Sequence, residues 1–325
     1  MAMDVLYVIL VIDAFIIGHI IKQHRLFDPF WNYLIKLFPN KKVVILIVSN
    51  VLGCMPIPGR ITVAAPILKS YINNKNKLGV FNYLATHHYY FWSPIETSVI
   101  IILGGLSLTY GQFLYYIWPL LLVYIVFIVL YTLFVLKYSD INDFTDSLDI
   151  NKSNYRAIIP PIAFGVCLGL SVVISPIIMF TILAVYYILL TNETISNCWK
   201  SINWKLVLFV GVIIIIANLI HENISLPDVD GYAIIGVLGF GFLFSFLMGS
   251  SSKYAGIVVA ITLVLGIEYL PLVFAIEYAG YYLSPMHKCI PITIGYFQTK
   301  VSYFYMYVSI VAICIALTGI MITIL

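Results

Sequence analysis

Charge is scarce in this chain: Asp, Glu, Lys and Arg make up 10% of 325 residues, against 62% hydrophobic residues and a mean hydropathy of +1.04. A soluble protein of that length carries far more polar surface, so a polytopic membrane protein is expected. Ten-residue segments of alternating hydrophobicity are missing, which excludes a membrane barrel. Apolar runs of about 20 residues predict transmembrane helices and an all-α fold instead. The net charge of +3 is small and the basic residues flank apolar runs, so they set orientation and no nucleic-acid partner is expected. No basic stretch precedes the first apolar run, MAMDVLYVILVIDAFIIGHI, which therefore reads as a retained helix rather than a cleaved signal. The cysteines, Cys54, Cys167, Cys198, Cys289 and Cys314, show no C-x-x-C spacing, which argues against a disulfide framework and a zinc site. No cofactor or metal is expected. There is no H-E-x-x-H, no pair of intramembrane aspartates and no convincing Ser-His dyad, so an enzyme is not expected either.

Helix breakers inside apolar runs are what the chain does have. Gly53-Cys54-Met55-Pro56-Ile57-Pro58-Gly59-Arg60 interrupts the run 43–72 with two prolines, two glycines and a permanent charge. An arginine near the bilayer centre costs about 2.5–3.5 kcal/mol, so this octet is either an aqueous loop or irregular backbone lining a protected cavity. A second interruption, Gly249-Ser250-Ser251-Ser252-Lys253, divides the run 233–266. Basic residues flank both ends of the first run and neither end of the second. Each therefore reads as a re-entrant hairpin, the first entered from the cytoplasm and the second from outside. Of the seventeen lysines and arginines, fourteen then fall on cytoplasmic segments and none on external ones; Arg60, Lys253 and Lys288 lie at interruptions. The N-terminus and C-terminus are expected outside the cell (inner or plasma) membrane.

The domains follow from this bookkeeping. Residues 1–136 form a first repeat of span, hairpin 43–72, broken span 81–108 and span 112–136; 137–205 hold a linker and two connecting spans. Residues 206–325 form a second repeat of span, hairpin 233–266, broken span 272–294 and span 301–325. The broken spans match: Tyr90-Phe91-Trp92-Ser93-Pro94-Ile95-Glu96 against Tyr281-Tyr282-Leu283-Ser284-Pro285-Met286-His287. Opposite orientation of two such halves is an inverted-topology repeat, the arrangement of secondary transporters whose sites form where discontinuous helices meet.

The segments MPIPGRITVAAP, NYLATHHYYFWSP and YYLSPMHKC resemble an uncharacterised prokaryotic integral membrane family of the ion transporter superfamily, related to gluconate, lactate, citrate and dicarboxylate permeases. The resemblance implies a scaffold and a transport domain, a homodimer and elevator-like movement. Arg60 departs from that pattern, and Gly249-Ser250-Ser251-Ser252 stands where the dicarboxylate relatives carry a Ser-Asn-Thr sodium motif. Broken helices expose N–H groups and the positive end of the helix dipole, which favours an anion. Arg60, Lys253 and Lys288 against Glu96 give the interruptions a formal charge of +2. The expected substrate site comprises Gly53, Pro56, Pro58, Gly59, Arg60, Ser93, Glu96, Gly249, Ser250, Ser251, Ser252, Lys253, Ser284, His287 and Lys288. His287 leads the proton-coupling candidates because histidine titrates near neutral pH; Glu96 and Glu277 come next, then His87 and His88. The coupling ion, H+ or Na+, stays open. The expected function is secondary active transport of a small anion, an organic carboxylate, with an ion channel or inorganic-anion exchanger as the alternative and an intramembrane enzyme behind it.

Overall fold

A computed structural model describes residues 6–27, 30, 33, 37–38, 40–54, 68, 72–141, 158–223 and 231–324. Its elements are helices; the β-type pairing among the described residues is one isolated antiparallel bridge, Ile72 to Ile141. In chain order they are α1 (Tyr7–His24), α2 (Lys41–Cys54), α3 (Lys75–Ala85), α4 (Thr97–Gly105), α5 (Tyr110–Leu130), α6 (Ile159–Leu170) and α7 (Pro176–Thr191). Then follow α8 (Ile195–Ser201), α9 (Trp204–Asn223), α10 (Gly231–Met248), α11 (Ser251–Leu265), α12 (Leu270–Leu283), α13 (Cys289–Phe297) and α14 (Val301–Ile324). Five stretches are long and apolar enough to cross a membrane: α1, α5 with its π-helical extension to Val135, α9, α10 and α14. In α5, α9, α10 and α14 apolar residues remain exposed, Leu122, Leu133, Leu208, Leu247, Ile313 and Leu317 among them, as lipid-facing helices require. With no strand element among the described residues and these spans, the chain is an all-α membrane protein.

Short helices fill the middle. Every residue from Leu78 to Ala85 in α3 and from Ser98 to Gly105 in α4 is buried, as is nearly all of α12. At 1.5 Å per residue the nine-residue α4 is about 14 Å long, half the hydrocarbon thickness of about 30 Å. Neither α3 nor α4 crosses alone. Between them the chain makes a 3-10 turn, His88–Phe91, and resumes as a helix after Ser93-Pro94, with Glu96 at the N-cap. In the second half α12 stops at Ser284, and after Pro285 the helix restarts at Cys289. Proline has no N–H to continue a helical ladder and biases its predecessor away from helix, so both Ser-Pro pairs terminate what precedes them.

Contacts sort the loops into two ends. At one, the Asn73 N–H donates to the Asp140 carbonyl (2.8 Å), Lys77 Nζ bonds Asp140 Oδ2 (2.6 Å), and the Lys300 N–H donates to Asn76 Oδ1 (2.7 Å). Against the opposing effect of desolvation, Lys77 and the Lys137 N–H hold the Asp140 carboxyl below its usual range. At the other end, Tyr7 OH donates to the Leu108 carbonyl (3.0 Å) and Ser107 Oγ to Asn218 Oδ1 (3.2 Å). The lysine-bearing segments near 75, 137 and 300 thus share one face, and the start of α1, the turn near 107 and the C-terminal part of α9 the opposite one.

Helix α10 lies alongside α12 in the same direction. A Cβ on Gly241 would meet Glu277 Oε1 and one on Gly280 would meet the Phe242 carbonyl at 2.5 Å, while Ser284 Oγ donates to the Phe246 carbonyl. Helix α11 then folds back on α10, since Gly241 also faces Ile261. The turn between them is Gly249, whose φ of +54° an L side chain rarely adopts.

Candidate functional site

The two broken helices meet. Tyr281 OH donates to Tyr90 OH at 2.6 Å, joining the residue three positions before Ser284 to the residue three positions before Ser93. Beside this bond His87 Nε2 and His287 Nε2 stand 3.0 Å apart. His87 Nδ1 lies 2.7 Å from the Tyr83 carbonyl, which can only accept, so Nδ1 carries a proton, and in the neutral ring Nε2 then turns a lone pair toward His287. Both rings are buried. Cys289, two residues beyond His287, is half-buried, and its Sγ lies within 4.8 Å of a ring nitrogen of each histidine. These three side chains form a group with the donor types to hold a metal ion.

Each glycine interruption reaches a break. A Cβ on Gly53 would collide with the Ala85 carbonyl and lie 3.2 Å from Thr86 Cα, and one on Gly249 would lie 2.5 Å from the His287 nitrogen. Only glycine permits these approaches. The end of α2, the turn between α10 and α11, and both breaks therefore converge on the histidine pair.

Tyrosines wall this junction. Tyr83 OH donates to the Tyr282 carbonyl (2.9 Å), and Tyr124, which donates to the Leu84 carbonyl (3.1 Å), pairs with Tyr282 OH (2.9 Å). The Tyr281 ring packs edge-on against His287 at 4.3 Å. Phenol rings suit such a place because they fill apolar volume while their hydroxyls satisfy carbonyls freed by a broken helix.

A family model described as "Protein of unknown function (DUF401)" matches residues 2–325. The chain belongs to the DUF401 family. No curated protein matches it in a sequence search.

In this DUF401 chain the expected site residues divide into four groups. Gly53, Ser93, Glu96, Gly249, Ser284 and His287 are buried at or beside the breaks. Ser250, Ser251 and Ser252 begin α11 next to Gly249, with Ser250 and Ser252 hydroxyls 3.4 Å apart. Pro56, Pro58, Gly59 and Arg60 lie outside the described residues. Lys253 and Lys288 are exposed. Lys253 lines a groove of about 410 Å³ with Phe209, Phe244 and Met248, an apolar surface between α9, α10 and α11 that is unsuited to an anion. Glu277 is buried but faces α10, where Ser245 Oγ donates to its Oε2. It sits seven residues before Ser284, about 10 Å along the helix.

His87 stands low among the sequence candidates and Cys289 is absent from them, because His87 is 200 residues from its partner and a lone His-x-Cys is no metal motif. The tyrosine wall went unread. Its signal was available in the 25 tyrosines of the composition and in their concentration beside the Ser-Pro pairs.

Proposed function

We propose that the protein is a secondary active transporter of a small anion, an organic carboxylate, working by elevator-type alternating access. The observation that carries this reading is the bond between Tyr90 and Tyr281. These residues occupy matching positions in two sequence segments, and residues beside a two-fold axis touch their own counterparts. An inverted-topology repeat accounts for that contact, and its crossing point is where transporters of this construction hold substrate. Two re-entrant hairpins fit the same plan: α10 runs beside α12 as far as the break and α11 returns, while α2 ends against the break after α3. In this reading the chain is a member of the ion transporter superfamily. It sits in the cell membrane as a homodimer with both termini outside.

The chemistry favours an anion. The N-termini of α11 and α13 lie at the Gly249 turn and the second break and bring the positive dipole end there, whereas Glu96 already supplies a carboxylate at the start of α4. Arg60 supplies a bidentate partner for a carboxylate. The coupling cation is H+ or Na+, and for a proton the candidate carriers are His287, Glu96 and Glu277.

Uptake of labelled carboxylates into proteoliposomes under imposed proton and sodium gradients tests this reading. Saturable uptake that Arg60→Ala and His287→Gln abolish is the expected result. A protein that moves no carboxylate under either gradient, or that conducts ions far faster than a carrier turns over, overturns it.

A further inference from the structure

We propose that His87, His287 and Cys289 form a binding site for a soft transition-metal ion, zinc or monovalent copper in class, that ties the two broken helices together. Three features of the junction carry this. Two imidazoles and a thiol are the donors such ions prefer, and here they come from both halves of the chain onto one point. The spacing is close to what is needed: nitrogens on a tetrahedral zinc stand about 3.3 Å apart, and the two Nε2 atoms are 3.0 Å apart. The Cys289 sulfur, within 4.8 Å of a ring nitrogen of each histidine, needs a shift of about 1 Å to reach its place. Finally, the Tyr83 carbonyl holds His87 Nδ1–H at 2.7 Å, the outer contact that fixes a ligating histidine in the tautomer with Nε2 free.

Proton accounting is simple. The Gly249 N–H is already given to the Ser245 carbonyl, so the Gly249 backbone bonds the His287 ring through its carbonyl, which can only accept, and the ring donates to it. In the neutral pair both Nε2 atoms therefore turn lone pairs toward the point the ion takes. Both imidazoles stay neutral with Nε2 toward the ion. The Cys289 thiol gives up its proton to solvent, so about one proton is released per ion. Three protein ligands leave the fourth position to water or a small anion. The route in lies beside Cys289, which is half-buried next to the exposed Pro285, Met286 and Lys288. The site stands independently of anion transport, since a resident ion would serve a carrier, a channel or a purely structural junction alike.

The test uses tag-free full-length protein in detergent, titrated with Co2+ as the spectroscopic probe. We expect one ion per chain, a near-ultraviolet thiolate-to-cobalt charge-transfer band, about one proton released per ion, and displacement by zinc. Cys289→Ser, a near-isosteric change at a half-buried position, removes the band. His287→Gln weakens binding about tenfold or more. The two histidines are an ordinary hydrogen-bonded pair, and the proposal is overturned, if wild-type protein binds no stoichiometric Co2+. A band that survives in Cys289→Ser overturns it equally, since another cysteine would then be the ligand. A monodisperse elution profile for each variant separates loss of a ligand from loss of the fold.

Discussion

The hydroxyls of Tyr90 and Tyr281 lie 2.6 Å apart, 191 residues apart in the chain and three residues before the serine of each Ser-Pro pair. The bond is buried and links the last turn of α12 to the 3-10 turn before α4. Replacing either residue by phenylalanine leaves the other hydroxyl to find a new partner. A double-mutant cycle of Tyr90→Phe and Tyr281→Phe, read by reversible unfolding in detergent, is expected to give a coupling of about 0.5–1 kcal/mol. Strict additivity would mean that the two hydroxyls do not share a proton.

Glycines that meet backbone should be intolerant. Gly249→Ala places a methyl group 2.5 Å from the His287 nitrogen at a φ of +54°, and Gly280→Ala places one 2.5 Å from the Phe242 carbonyl. Neither obstacle is a flexible side-chain tip, so each change should cost about 1–3 kcal/mol and lower the melting temperature in detergent. Gly295→Ala, with nothing within 4 Å, is the control and should be neutral or slightly stabilising.

Acid should weaken a loop contact. His24, with Asn197, holds the Glu193 carboxyl down from its ordinary 4.5 to about 2. A depressed folded-state value means this contribution is fully present above about pH 4.5 and is lost as the pH falls toward 2. Across that window the melting temperature of the native protein should fall more steeply than that of Glu193→Gln. Parallel curves would show that the contact adds nothing to stability.

Sidedness can be read by labelling. In a background with all five cysteines replaced, single cysteines at Lys137 and Gln298 should react with a membrane-impermeant maleimide from the same side. Those at Ser107 and Val173 should react from the opposite side. Labelling of Lys137 and Gln298 positions from different sides would contradict the clustering of Asp140, Lys77, Asn76 and Lys300 at one end.

Much of this architecture was legible in the sequence because membrane burial leaves local marks. Apolar length announced the spans, and proline announced where they stop, so Ser93-Pro94 and Ser284-Pro285 fall in gaps between helices as expected. Gly53 and Gly249 were marked as places of special backbone, and each meets a break. The composition of the junction was less legible. Lys253 and Lys288 are near the breaks in sequence but exposed in space, because adjacency along a chain does not fix which face of a helix a side chain occupies. His87 and Cys289 acquire significance only from packing across 200 residues, which no spacing rule reports.

The same long reach bears on how the protein is made. At about 5–20 residues per second, roughly 10–40 s separate the emergence of His87 from that of His287. Throughout that interval the first break, with its uncapped carbonyls and buried histidine, must wait in or beside the translocation machinery without the helices that will cover it. The nascent first half is therefore an incomplete object in lipid. Conditions that hurry its release, or that truncate the chain before α12, should send it to degradation rather than leave a stable half-protein.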